Sequence, residues 1–165
     1  FINYLKSEGI ENNQILMINL ENPEYNFKDY MELYNYVKER LIPDKMNYVF
    51  LDEVQNIDKF QKTVDGLYIK DNVDLYITGS NANLLSGELA TLLSGRYIEI
   101  KILPLSFKEY ASNFDTDNYQ KLYLDYTNNS SFPYAIKLKN TDEVDQYLSS
   151  IYDTILLKDV VSRKK

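Results

Sequence analysis

Short continuous apolar runs alternate along the chain with stretches in which apolar residues recur every three or four positions. The continuous runs predict buried strands at Gln14–Leu20, Tyr48–Leu51 and Asp74–Thr78, because a strand covered on both faces needs no polar face. The other stretches predict helices over Asn26–Leu41 and Ile57–Ile69. Strands and helices that alternate in this way are typical of an α/β fold with a mostly parallel sheet and flanking helices.

The pattern changes after the third strand. A helix is predicted over Leu84–Leu93, and Tyr97–Leu103 then alternates apolar and polar residues, as a strand at a sheet edge does. Beyond it, Ser106 and Glu109 have the spacing of a capping box, which predicts the start of a helix. Further helices are predicted over Tyr119–Tyr126 and from Thr141 to about Arg163.

A boundary near Asp115 therefore separates two predicted parts. Residues 1–114 form the sheet-bearing part, and residues 115–165 form a small all-helical part resembling a lid. The tyrosines, 16 in all, fall at core spacing or beside polar runs, which favours half-buried packing.

The composition excludes several kinds of chemistry. With neither cysteine nor histidine, the chain has no thiol nucleophile, disulfide, zinc site of the usual kind or histidine base. The net charge of −7 does not suggest a broad basic surface for nucleic acid. Whether the protein contacts nucleic acid stays an open question. No apolar run approaches the roughly 20 residues of a membrane span, and the lack of cysteine favours a cytoplasmic location.

The sharpest motif is YVFLDE, Tyr48–Glu53, an apolar strand that ends in two carboxylates. This is the Walker B pattern of P-loop ATPases, and the end of such a strand opens onto the ligand crevice of an open α/β sheet. Asp52 is then expected to hold Mg²⁺ through a water, and Glu53 to polarise the water that attacks the γ-phosphate. The plainer interpretation is an acidic pair that ends a strand and caps the next helix.

Two weaker motifs follow. ITGSN, Ile77–Asn81, ends the next strand, where a polar side chain can contact the γ-phosphate or the attacking water; Ser80 is the first choice, then Asn81 or Thr78. LLSGRY carries Arg96, a candidate arginine finger. Taken alone, an ordinary turn is the favoured explanation of the first motif, and a surface ion pair is the favoured explanation of the second.

Taken together, YVFLDEVQNI, ITGSNANLLSGELATLLSGRYIEIKILPLSFKEY, SFPYAIKLKN and YLSSIYDTILLKDVVSRKK closely resemble the prokaryotic predicted AAA+ ATPases, relatives of the STAND NTPases. The resemblance covers essentially the whole chain. It implies an ATP-binding, Mg²⁺-dependent molecular switch with Walker B at Asp52 and Glu53, a sensor at Ser80, and Arg96 before the last strand. The family's Gly-Gly before Phe-Pro is replaced by Ser130 and Ser131, so that turn is expected to differ.

The phosphate-binding motif GxxxxGK[ST] is missing, since none of the five glycines begins it. We expect a fragment whose first strand and loop lie upstream of Phe1, and which is inactive by itself. In the AAA+ strand order the missing strand belongs between the third strand and the edge strand. We therefore expect the sheet to repack, to pair with itself or another chain, or to need that segment. The C-terminal domains of the full-length family members are further expected partners.

Two other functions stay open. Glu99 and Lys101 have the ExK spacing of restriction-type nucleases, with Asp74 as a possible metal ligand, although a solvated edge strand carries such charges without any catalytic role. The chain could also be a non-enzymatic protein-interaction module, either natural or produced by truncation.

Overall fold

The computed structural model describes residues 1–79, 95–138 and 140–156. Its contacts divide the chain into two compact units, Phe1–Ile98 and Glu99–Lys165. The helix expected over Leu84–Leu93 and the end of the last helix near Arg163 lie outside the described residues. The functional division near Asp115 stays a prediction.

The first unit contains a parallel three-stranded sheet in the order β1-β2-β3. The strands are β1 (Ile15–Asn19), β2 (Asn47–Asp52) and β3 (Val73–Ile77). The three predicted buried strands are confirmed, and the bounds of each differ from the predicted ones by one residue at either end. The α/β fold class with a parallel sheet is likewise confirmed.

Among its described residues, the first unit also contains the helices α1 (Ile2–Ser7), α2 (Tyr30–Lys38) and α3 (Phe60–Tyr68). The last two connect successive parallel strands, so each runs back across the sheet, against the strand direction. The residues that pack between these helices and the sheet are almost fully buried: Ile18, Leu33, Val37, Val49, Leu51, Val64 and Leu67. The core thus fixes one face of each strand and leaves the strand ends to carry polar groups.

Asn47 anchors the beginning of β2 from inside the protein. Asn47 is almost fully buried, with only 2% of the residue exposed. Its Nδ2 donates to the carbonyl oxygens of Ile42, Lys45 and Asn72 at 2.9–3.1 Å, and its Oδ1 accepts the N–H of Ile42 at 2.8 Å. One amide therefore ties the loop before β2 to the turn before β3.

The second unit contains α4 (Phe107–Ala111), α5 (Tyr119–Asn129) and α6 (Thr141–Ile155). The predicted capping box is confirmed, because Ser106 Oγ accepts the N–H of Glu109 and the Glu109 carboxylate accepts the N–H of Ser106. Packing between α4 and α5 is aromatic, with the rings of Phe107 and Tyr126 5.6 Å apart. Many tyrosines here are therefore packing residues, as predicted.

The strand predicted over Tyr97–Leu103 is wrong, because the structure assigns no strand there. Its apolar side chains are solvent-exposed, with Ile98 at 90% and Ile102 at 87%. Alternation favours an extended backbone, but a strand also needs a neighbouring strand to receive its N–H and C=O groups. The described sheet contains β1, β2 and β3, none of which pairs with this segment.

No helix within residues 1–79, 95–138 and 140–156 combines the length and apolar character required to cross a bilayer.

Candidate functional site

The candidate site lies where β2 and β3 end. Because the strands are parallel, their carboxyl ends meet at one edge of the sheet. Asp52 is the last residue of β2, and Thr78 directly follows β3. The backbone fixes Thr78 beside β2, since its N–H donates to Leu51 O at 2.9 Å and its carbonyl oxygen accepts the N–H of Val54 at 3.1 Å.

The hydroxyl of Thr78 joins the two acidic residues of the motif. Its Oγ1 donates to Oδ1 of Asp52 and accepts the backbone N–H of Glu53 at 3.2 Å. A hydroxyl can donate once and still accept, so both contacts are satisfied together. Thr78 therefore orients the Asp52 carboxylate and fixes the backbone from which the Glu53 side chain projects.

Glu53 has an unusual backbone conformation, with φ 57° and ψ 50° in the left-handed region. This region is uncommon for residues other than glycine and costs conformational energy. It turns the chain sharply out of β2 into a one-turn 3₁₀-helix, Val54–Asn56, and the N–H of Asn56 returns to Glu53 O at 3.1 Å. Glu53 is a half-buried residue, and its carboxylate accepts a hydrogen bond from Gln55 Nε2.

Gln55 is a site residue that the sequence reasoning missed. It lies two positions after Glu53 in the run LDEVQ, so the sequence alone showed that it is close to the motif. Its hydrogen bond depends on the left-handed turn at Glu53, which the sequence pattern did not predict.

The other sequence-predicted residues have different positions. Ser80 and Asn81 lie outside the described residues. Arg96 lies 3.5 Å from Oδ1 of Asp65, and its guanidinium carbon is 5.9 Å from the ring centroid of Tyr68. Since α3 runs against the strand direction, these two partners belong to the half of α3 that leads towards the start of β3. The structure thus brings Thr78 to Asp52 and Glu53 and places Arg96 elsewhere in the first unit.

The residues of the nuclease alternative have other contacts. Glu99 and Lys101 form an ion pair at 3.8 Å on an exposed segment without strand structure. Asp74 accepts a hydrogen bond from the hydroxyl of Tyr76 at 2.7 Å. The alternating strand on which the ExK interpretation depended is therefore absent.

The Asp52 carboxylate is a candidate ligand for Mg²⁺ at this edge of the sheet. In the described part of the chain, no group of three or more carboxylates comes together as a metal cage. Mg²⁺ commonly keeps several waters and uses one or two carboxylates together with phosphate oxygens. The Asp52 carboxylate, with one oxygen held by Thr78, has the chemistry for a water-mediated contact of this kind.

Comparison with known proteins decides the family. A family model described as an AAA domain matches residues 1–111, which include the sheet and the whole candidate site. The chain belongs to this AAA-domain family. The family supports nucleotide binding and an ATPase-like function, and it confirms the coarser part of the resemblance seen in the sequence.

Two curated relatives of this AAA-domain chain are named without a function. A Haemophilus influenzae protein, "Uncharacterized protein", is 43% identical over 97% of this chain and 41% of its own length. The Methanocaldococcus jannaschii protein "Uncharacterized protein MJ1544" is 33% identical over 83% of this chain and 37% of its own length. The chain therefore spans about two fifths of each relative. No solved structure gave a significant match.

Proposed function

We propose that this chain is the core of an ATP-hydrolysing molecular switch of the STAND-like AAA+ kind, acting in the cytoplasm. The observation that carries the proposal is the junction of Asp52, Glu53 and Thr78 at the carboxyl ends of adjacent parallel strands. Residues 1–114 are proposed as the nucleotide-binding part and residues 115–165 as the lid-like part.

Each residue of the junction has a proposed task. Asp52 holds Mg²⁺ through a water, and the ion supplies charge neutralisation for the phosphates. Glu53 accepts a proton from the attacking water as general base. Thr78 keeps the Asp52 carboxylate oriented, and it shares with Ser80 and Asn81 the proposed task of contacting nucleotide or water beyond β3.

Arg96 is proposed to act on the γ-phosphate of ATP bound to an adjacent subunit, because within its own subunit it lies beside the half of α3 that leads away from Asp52. Its ion pair with Asp65 is half-exposed on both sides. Exposed pairs of this kind contribute little free energy, so Asp65 is an exchangeable partner for the guanidinium.

The phosphate-binding loop is proposed to come from a segment outside these 165 residues. Both relatives are more than twice as long as the stretch that matches this chain. Sequencing the gene upstream of the Phe1 codon tests this point. A strand followed by GxxxxGK[ST] supports the proposal, whereas an upstream region without that motif reduces the chain to a non-hydrolysing relative.

The catalytic assignment is tested in the full-length gene product by steady-state ATP hydrolysis. Glu53→Gln keeps the size of the side chain and removes the base, so we expect kcat to fall by about 10²–10⁴-fold while ATP still binds. The matched control is Glu8→Gln at an exposed glutamate after α1. Equal turnover of wild type and Glu53→Gln would contradict the assignment.

A second candidate function is protein interaction through the edge of β3 that pairs with none of the described strands. In a parallel ladder each residue directs its N–H and C=O to the same side, alternating along the strand. Thr78 bonds Leu51, and Asn72 accepts from Asn47, so the intervening Leu75 and Ile77 direct their backbone groups away from β2. This edge offers a site for a strand of a second copy, another protein or the chain's own further domains.

Size measurement and nucleotide titration of the 165-residue chain separate the two candidates. Concentration-dependent association in analytical ultracentrifugation, without binding of Mg²⁺-ATP in calorimetry, favours the interaction module for this chain. Tight binding of ATP by the 165 residues alone would argue against it.

A further inference from the structure

In the side-chain amide of Gln55, the nitrogen has a hydrogen-bond partner and the oxygen has none among the described residues. Its Nε2 donates to Oε2 of Glu53. Its Oε1 is buried and has no hydrogen-bond partner among the described residues. Buried polar atoms without a partner are uncommon in proteins and cost stability, so this amide is not explained by a contribution to folding.

The orientation of the amide is determined by the carboxylate. If the amide were reversed, its oxygen would face the Glu53 carboxylate and two acceptors would oppose each other. The observed orientation satisfies the carboxylate and leaves the amide oxygen unpaired. The Gln55 side chain therefore makes the hydrogen bond to Glu53 while its own Oε1 stays without a donor.

The backbone on both sides of this contact is fixed. The N–H of Glu53 is bound by Thr78 Oγ1 at 3.2 Å, and its carbonyl oxygen by the N–H of Asn56 at 3.1 Å. Val54, between the two side chains, is fully buried at 0% exposure. What remains free is the rotation of the Glu53 side chain, and the Gln55 amide restrains it.

We infer that Gln55 is a positioning residue that holds the Glu53 carboxylate in place for its work on the attacking water. The inference rests on the proposed function, because it gives Gln55 a role only through Glu53. A base acts when it lies within hydrogen-bond reach of the proton it accepts. A carboxylate that rotates freely loses part of that geometry without changing the affinity for nucleotide.

The experiment is a double-mutant cycle on ATP hydrolysis by the full-length gene product, with single-turnover rates for the slow variants. Gln55→Met keeps the length of the side chain and removes the donor. We expect kcat to fall about tenfold, with KM and the Kd for ATP unchanged. In a Glu53→Gln background the same substitution is expected to have no further effect, because the restrained carboxylate is already gone.

Two controls separate positioning from a structural role. The urea midpoint of Gln55→Met is expected to equal or exceed that of wild type, since the substitution removes the unsatisfied Oε1. Gln61→Met, at a half-buried glutamine of α3, is expected to leave kcat unchanged. An unchanged kcat in Gln55→Met, an equal loss in both backgrounds, or a loss that follows a lowered urea midpoint would each overturn the inference.

Failure of the proposed function gives a different result. If the full-length wild type does not hydrolyse ATP, or if Glu53→Gln hydrolyses it at the wild-type rate, the general-base assignment fails and the Gln55 inference falls with it. If Glu53→Gln is inactive while Gln55→Met is fully active, the proposed function stands and only the role of Gln55 is rejected.

Discussion

At the scale of single residues, Asn47 and Tyr76 both make polar contacts within the first unit, but Asn47 bonds the backbone and Tyr76 bonds a charged side chain. Asn47 bonds backbone groups of the loop before β2 and of the turn before β3 through one amide. Tyr76 stacks its ring on Phe50, with centroids 4.7 Å apart, and donates its hydroxyl to Asp74. The first arrangement holds the backbone together, and the second depends on protonation.

Asn47→Ala is expected to destabilise the chain by about 2–4 kcal/mol, because it leaves the carbonyl oxygens of Ile42, Lys45 and Asn72 without this donor. Urea unfolding followed by far-UV circular dichroism measures the change. Asn13→Ala, on the exposed surface before β1, is the matched control. A loss below about 1 kcal/mol for Asn47→Ala would contradict the anchoring role.

Tyr76 predicts how stability depends on alkaline pH. Burial, together with the hydrogen bond and the charge of Asp74, raises the pKa of Tyr76 from 10 to about 12. A group whose pKa is raised on folding contributes stability that is complete below its unfolded pKa and is lost as the pH rises through its folded pKa. The affected window is therefore pH 10 to about 12.

Tyr76→Phe keeps the ring and removes the titrating hydroxyl. We expect the free energy of unfolding of the wild type to fall more steeply over this window than that of the variant. Urea unfolding at several alkaline pH values tests this, with Tyr119→Phe at an exposed tyrosine as the control. Parallel curves for wild type and Tyr76→Phe would rule out the explanation.

At the scale of elements, α2 and α3 meet where a glycine contacts an aromatic ring. A Cβ added to Gly66 would lie 3.0 Å from Cε2 of Tyr34, which is tighter than ordinary van der Waals contact. Glycine inside a helix costs roughly 0.5–1 kcal/mol relative to alanine. Close approach of the two helices therefore offsets that cost.

This contact predicts a coupling between the two positions. Gly66→Ala is expected to stabilise a Tyr34→Ala background by about 0.5–1 kcal/mol and to give a smaller gain, or a loss, when Tyr34 is present. Urea unfolding of the four proteins of the cycle measures it. The same effect of Gly66→Ala in both backgrounds would show that the ring does not restrict this position.

The elements also show where sequence reasoning succeeds. β1, β2, β3 and the helices between them were predictable because hydrophobic periodicity is a local signal and each element buries its apolar face against the others. The strand predicted over Tyr97–Leu103 failed, because alternation is local whereas pairing needs a neighbour. At the site, the contact of Asp52 with Thr78 follows from the parallel order of β2 and β3. The hydrogen bond from Gln55 to Glu53 depends on the left-handed backbone of Glu53, which no residue type in the sequence indicates.

At the scale of the whole molecule, one edge of β3 has no partner among the described strands, and pairing with another chain or segment would change it. Leu75 and Ile77 direct their N–H groups away from β2, whereas by the same alternation Tyr76 donates towards it. Amide hydrogen exchange reports this difference directly, since exchange requires the hydrogen bond to open.

In the 165-residue chain we expect the amides of Leu75 and Ile77 to exchange at least about tenfold faster than that of Tyr76. In a longer gene product whose added segment pairs with β3, Leu75 and Ile77 are expected to become protected. Tyr76 serves as the internal control, because its bond to β2 is the same in both proteins. Equal protection of all three amides in the 165-residue chain would mean that this edge is already paired.

The spatial order β1-β2-β3 has a consequence for how the first unit acquires its structure. Among the described strands, each pairs with the strand that comes next or before it in the chain. These pairings still join residues that are well separated in the chain, Ile15 with Tyr48 and Asn47 with Val73, and non-local parallel pairing of this kind slows folding. During synthesis, β1 and β2 can pair before β3 has left the ribosome, and the acidic junction at Asp52 is completed when Thr78 emerges behind it.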